Sequence, residues 1–341
     1  MTHTSESQMD RPLVGTGNFR YRADAHWARR PSGEPFQWVE ASGVACDSRG
    51  RVFVFNRGRH EMQVYDSEGT FLESWGEGRF HHPHGVTVGP DDSIYTVDDY
   101  EHTVRKFTSD GRLLMTLGNP GVPSDTGATQ VDYRGVVRGG PPFNLPTNVA
   151  IGPEGELYVS DGYGNARVHK FDPSGRLIRS WGEPGTAPGQ FHLPHGIAVD
   201  RRGRVFVADR ENSRIQIFSA DGDFLESWDN LARPCQVRFD STGNALVAEL
   251  GYRCALWPGN PLPPPGSPGG RISILSPEGK VLARWGGGLQ PTAPGDFFAP
   301  HDIACDVHGD IYLAEVVYSA GGKRGEVPLD CHTLQKFTRC V

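Results

Sequence analysis

The sequence predicts an all-β chain folded as a six-bladed β-propeller, and three observations carry that prediction. A short apolar run, a polar glycine turn and an aromatic-rich run ending in Asn, Asp or Glu recur six times, starting at Gly43, Gly85, Asn148, Gly196, Gln236 and Asp302. Each copy continues with two more strand-like runs around a second glycine turn (SEGT, SDGR, PSGR, ADGD, PEGK), and several close on tryptophan, as in LESWG, IRSWG and ARWGG. Four short strands in a unit of about 40 residues mark a propeller blade, and six units make six blades. Repeated tight turns also account for the 44 glycines and 27 prolines among 341 residues.

Along the chain, residues 1–12 read as a flexible polar tail and 13–341 as one propeller domain. The last unit ends at Leu334–Phe337 without a fourth strand. The segment Asn18–Trp27 is expected to supply it, closing the ring with an N-terminal strand and removing exposed sheet edges. Third strands are expected at Val104–Phe107, Arg167–Phe171 and Arg214–Phe218. Two intervals are lengthened by insertions, at 119–143 and 251–270. The second, GYRCALWPGNPLPPPGSPGG, cannot form a strand because proline lacks the ladder donor; a loop of that length is a candidate rim or lid.

The net charge of −7 comes without any basic run, which argues against a nucleic-acid partner. No apolar stretch approaches the ~20 residues that span a bilayer, so no membrane partner is expected. The start, MTHTSESQMDRP, lacks an apolar leader, and the six cysteines form no CxxC pair. A cytoplasmic protein with free thiols is therefore expected, with Cys46 and Cys305 as small core residues.

Three stretches stand out: Pro83-His84-Gly85, Pro194-His195-Gly196 and Pro300-His301-Asp302. The residue before each inner strand is, unit by unit, Ser42, His84, Thr147, His195, Cys235 and His301. Alternate blades of a six-bladed ring are related by about 120° around the channel. Three imidazoles at one height thus converge on its axis, a facial three-nitrogen metal site with an open position. Any one Pro-His-Gly could be a turn consensus; the strict alternation favours the metal. His81, His82 and His192 are expected to be solvated or to support the site. A second column, Asn56, Asp98, Asp161, Asp209, Glu249 and Glu315, is expected to hydrogen-bond a neighbouring turn. Just beyond it stand Arg57 and Arg210, in units one and four, with Tyr163 one place further on in unit three. Two arginines in register above a metal suit a carboxylate clamp.

With these residues in hand, the chain resembles the peptidyl-α-hydroxyglycine α-amidating lyases and has the character of NHL repeats. The matching stretches are Gly43–His60, Phe80–Val88, Leu145–Trp181, Phe191–Phe218 and Ala299–Ile311. The resemblance implies zinc at His84, His195 and His301, an active-site Tyr163, and active-site Arg57 and Arg210. It also implies a structural calcium held by Asp302 and the backbone carbonyls of Val44 and Val86, tying the first, second and last blades. Departures are Gly164 where animal enzymes carry a disulfide cysteine, Asn148 in place of an acid, and Ala299 in place of a methionine.

The implied reaction is zinc-dependent C–N cleavage of an α-hydroxy-α-amido acid to an amide and glyoxylate. The partner is a small α-hydroxy-amido acid or a short peptide. Tyr163, its pKa lowered by zinc and arginine, or a metal-bound hydroxide would be the base. Two alternatives stand beside this reading: a metal-dependent hydrolase or lactonase on the same propeller, and a non-catalytic NHL binding module.

Overall fold

Period-two alternation and closely spaced turns leave the chain no helical stretch to build on, and the strands fall where the repeats place them. The computed structural model describes residues 11–31, 33, 36–129 and 131–340. Residues 1–10 of the expected tail lie outside the described residues. Six antiparallel sheets stand around a central channel, five of four strands and one of five. The inner strands, in blade order, are Ala41–Cys46, Pro83–Val88, Pro146–Ile151, Pro194–Val199, Pro234–Phe239 and Pro300–Cys305.

Closure uses the N-terminal segment, as expected. Phe19–Asp24 pairs with Leu334–Arg339 of blade six, with Ala23 opposite Phe337. Leu13–Thr16 adds a fifth strand outside it. Tyr21 stacks on Trp285 of blade five at 5.4 Å, so the joint is closed by side chains as well as by the ladder. The core lies between blades: Phe206, Ile215 and Trp228 of blade four share one cluster with Val237, Val247 and Leu275 of blade five. Tryptophans ending the fourth strands cover the next blade's turn. Trp181 lies over Gly222, whose φ of +85° and closeness to the indole exclude any side chain.

In every inner strand the ladder slips at the start, between Pro83 and Val86, Pro194 and Ile197, Pro300 and Asp302, and equivalently in the other three. A bulge re-aims the residue it carries. Here that residue is the column Ser42, His84, Thr147, His195, Cys235 and His301. The acidic column sets the height of this bulge. Asn56, Asp98, Asp161, Asp209, Glu249 and Glu315 each accept a backbone N–H seventeen residues upstream, from Val39, His81, Asn144, His192, Ala232 and Phe298 respectively. One hydrogen bond per blade thus fixes every entry loop alike, the structural role expected for that column.

All six cysteines are free. Cys46 and Cys305 are only half-buried against neighbouring clusters, whereas Cys235 is fully buried. At Gly164 an added Cβ would overlap the Asn144 side chain, so the cysteine of the resembling enzymes has no room here. No helix among the described residues is long and apolar enough to cross a membrane.

Candidate metal centre and its cavity

His84, His195 and His301 meet on the channel axis. Their ligand nitrogens lie within 4.8 Å of one another, and their ring centroids are 4.7 to 4.9 Å apart. The alternation of the column has a physical cause. Each histidine on an even blade gives its Nδ1–H to the backbone carbonyl of the small residue at the same place on the next odd blade. His84 bonds Thr147 O at 2.6 Å, His195 bonds Cys235 O at 2.8 Å and His301 bonds Ser42 O at 2.6 Å. This fixes the tautomer and leaves three Nε2 lone pairs facing one point. Burial is the first cause that pushes the basicity of all three down, followed by the neighbouring imidazoles for His84, by Arg210 for His195 and by Arg57 for His301, which falls to about 3. They are neutral imidazoles at physiological pH, the form that binds a metal. The donor set therefore fits a tetrahedral ion with one open position.

Tyr163 stands at that open side. Its hydroxyl is 3.3 Å from His84 Nε2, 3.2 Å from His195 Nε2 and 3.3 Å from Arg210 Nη1. Burial outweighs the lowering by Arg210, so the phenol is raised among the protein's own groups. The lowered value expected from the sequence is not produced by the arginines.

The two arginines are held differently. Arg57 bonds Glu40 Oε1 at 2.9 Å, Ser319 Oγ at 3.1 Å and Pro83 O at 2.9 Å. Arg210 bonds Glu211 Oε1 at 2.8 Å, and the same carboxylate takes Arg233 at 2.9 Å. Arg233 in turn spends its fork on the carbonyls of Gly251, Cys254 and Ala255. A continuous line of contacts therefore runs from the prolyl insertion to Tyr163. Two cations around one buried carboxylate keep a net positive charge beside the phenol.

Tyr163, His301, Arg57 and Arg210 line one cavity of about 590 Å³. Its outer wall is apolar, with Leu250, Leu256, Trp257, Val316 and Ala320, and its rim carries Arg253 and Lys323. The two insertions meet above it. Arg134 donates to Pro258 O at 2.7 Å and to Asn260 Oδ1 at 3.2 Å, and Tyr133 packs edge-on against Trp257 at 5.4 Å. His82 lines the same cavity, bonded to Asp99 at 2.6 Å and stacked on Tyr100.

Sequence reasoning missed Glu40, Glu211, Arg233 and the segment 316–333, whose short helix Val317–Ala320 brings Ser319 to Arg57. Glu211 had a signal, since it follows Arg210 directly in the matched stretch ending in ADRENSRIQIF.

In the Asp302 set, Asp302 Oδ1 faces Arg238 Nη2 at 3.8 Å. Val86 O already accepts a hydrogen bond from Arg238 at 3.1 Å, and Val44 meets Asp302 through its N–H, at 3.3 Å.

The NHL repeat model matches residues 80–107, 143–171 and 191–218, in blades two, three and four. NHL repeat-containing protein 3 of Homo sapiens is 32% identical over 248 residues, covering 68% of this chain and 67% of that protein. The chain belongs to the NHL-repeat family. Within that family it is also related to the amidating lyases. Peptidyl-α-hydroxyglycine α-amidating lyase 1 of Drosophila melanogaster is 35% identical over 227 residues, covering 55% of this chain and 39% of that protein. The peptidylglycine α-amidating monooxygenase of Rattus norvegicus is 32% identical over 265 residues, and only 26% of its length is spanned. Among solved structures, streptogramin B lyase aligns over 89% of this chain with a TM-score of 0.57 at 13% identity, and a gluconolactonase of Xanthomonas campestris over 97% with 0.59 at 12%. At such identities these two show the propeller fold alone.

Proposed function

We propose that this NHL-repeat protein is a zinc-dependent carbon–nitrogen lyase acting on small N-acyl-α-hydroxyglycines, releasing the primary amide and glyoxylate. One observation carries the reading: three neutral imidazoles converge beside a tyrosine hydroxyl and an arginine, and that tyrosine, that arginine and His301 line one cavity. The amidating-lyase relatives make this chemistry the natural one for such a set.

Zinc on His84, His195 and His301 would supply a Lewis acid for the substrate's hydroxyl oxygen. The protein's own groups do the rest. Arg57 and Arg210 bind the substrate carboxylate, each held in place by its own glutamate. Tyr163 would react as its phenolate, the form favoured by Arg210 and by the charge of a cation held on the three histidines, and take the hydroxyl proton. The oxygen's electron pair then forms the carbonyl of glyoxylate, the C–N bond breaks, and its electrons stay on nitrogen. Nitrogen takes a proton from the tyrosine, so no proton is gained or lost. The apolar wall of Leu250, Leu256, Trp257 and Val316 receives the acyl group. The joined insertions limit its length, which favours a small acyl chain over a peptide.

The non-catalytic reading is favoured by the NHL repeat-containing protein 3 relatives, whose names carry no activity. Product analysis separates all three readings. A lyase converts N-benzoyl-α-hydroxyglycine to benzamide and glyoxylate in equal amounts, a hydrolase yields benzoate, and a binding module yields neither above the rate without protein.

A further inference from the structure

The family resemblance places calcium between Asp302 and the carbonyls of Val44 and Val86, but two of the three, Asp302 and Val86 O, already face a cation belonging to the chain. Arg238 projects from the inner strand of blade five, Pro234–Phe239, into the channel. Its Nη2 donates to Val86 O at 3.1 Å and Thr87 Oγ1 at 2.9 Å in blade two, and its Nη1 to Ile197 O at 3.1 Å in blade four. Asn148 Oδ1 of blade three lies at 3.5 Å. Asp302 Oδ1 of blade six faces the same Nη2 at 3.8 Å, and its carboxylate is otherwise satisfied by the N–H groups of Val44 and Ile303. The Arg238 side chain is 16% exposed and that of Asp302 1%.

Calcium requires six to eight oxygen ligands at about 2.3–2.6 Å and a surplus of negative charge. Here one carboxylate already faces one guanidinium, and the Val86 carbonyl points its lone pair at an N–H. A dication entering this space would meet a like charge. The planar, always-charged guanidinium supplies several donors in fixed directions, which suits it to joining carbonyls from several strands.

We propose that Arg238 takes the place of a structural metal ion, a tethered cation that ties blades two, four, five and six at the axis and makes the propeller independent of calcium. This is separate from the proposed reaction and stands or falls without it. The test is the melting temperature of the zinc-loaded protein, stripped of calcium and then given millimolar calcium chloride, together with calorimetric titration of calcium. The wild type is expected to show the same melting temperature in both states and no calcium binding. Arg238→Ala removes the cation and frees Val86 O, Ile197 O and Asp302. It should melt lower by roughly 5 °C or more, and calcium should restore part of the loss, since a ligand bound only by the native state adds stability. A wild type that binds calcium in the micromolar range, or that melts higher with it, overturns the proposal. So does an Arg238→Ala variant as stable as the wild type in the absence of calcium. If that variant does not fold, Arg238→Lys retains a charge without the fork and should melt below the wild type, while the wild-type measurements still decide the question.

Discussion

Tyr163 is the residue on which the proposed chemistry turns, and its surroundings define what its loss should do. The hydroxyl touches two histidines and one arginine but carries no part of the ladder or the blade core. Tyr163→Phe should therefore fold, keep its metal and lower kcat by roughly 10²-fold or more, the usual worth of a positioned proton-transfer group. Wild-type kcat in this variant would remove Tyr163 from the reaction. The histidines were legible in the sequence because their spacing is a property of the repeat: one column, every second blade. The carboxylates behind the arginines were not. Glu40 and Glu211 reach their partners through loop geometry that no periodicity encodes, and Arg233 is aimed by a left-handed turn with φ of +50°. Arg238 beside Asp302 was not legible either, for a similar reason. The oxygens of the Asp302 set match the pattern, but Arg238 enters from a blade outside that pattern.

At the scale of elements, the two insertions interrupt a regular ring and meet over its site. Trp257 is the side chain they share: it lines the cavity, packs on Tyr133 and lies 5.9 Å beneath the Arg134 guanidinium. Trp257→Ala should widen the acyl side of the cavity while leaving the floor intact. The expected result is a higher KM for short N-acyl substrates, with kcat changed by less than about threefold, and a gain for longer acyl chains, because only uniform binding is lost. An unchanged chain-length profile would place the acyl group elsewhere. That 251–270 forms no strand follows from its prolines; that it joins 119–143 could not be read, because the contacts rest on single side chains far apart in sequence. The short helix at Val317–Ala320 likewise left no signal, being too brief for a helical period.

The whole molecule depends on closure, which was legible because the last repeat lacked a strand and an unmatched aromatic segment preceded the first. Tyr21 is 3% exposed and stacked on Trp285 across the joint. Tyr21→Ala should cost about 3–5 kcal/mol, read as a lower melting temperature with loss of cooperativity. A near-silent change would mean that the ladder to Leu334–Arg339 suffices. The joint in blade six also has a pH dependence. His332 loses basicity by burial, but its bond to Glu315 Oε1 at 3.3 Å and the nearby Asp296 outweigh this and raise its pKa above the usual value. The raised value means the folded chain holds this proton more tightly than the unfolded chain. The stabilisation is complete below the unfolded pKa of about 6.5 and is lost as pH rises through the folded pKa. His332→Gln should therefore narrow the difference in melting temperature between pH 6 and pH 9, and an unaltered difference would exclude this pair as its source.

The most direct measurement is the initial rate of benzamide release from N-benzoyl-α-hydroxyglycine as zinc is titrated into metal-free protein. The rate should rise linearly to one equivalent of zinc per chain and then level off, with glyoxylate formed in equal amount and with His195→Ala silent throughout. Turnover that ignores zinc, a break at any other stoichiometry, or benzoate in place of benzamide would contradict a three-histidine lyase.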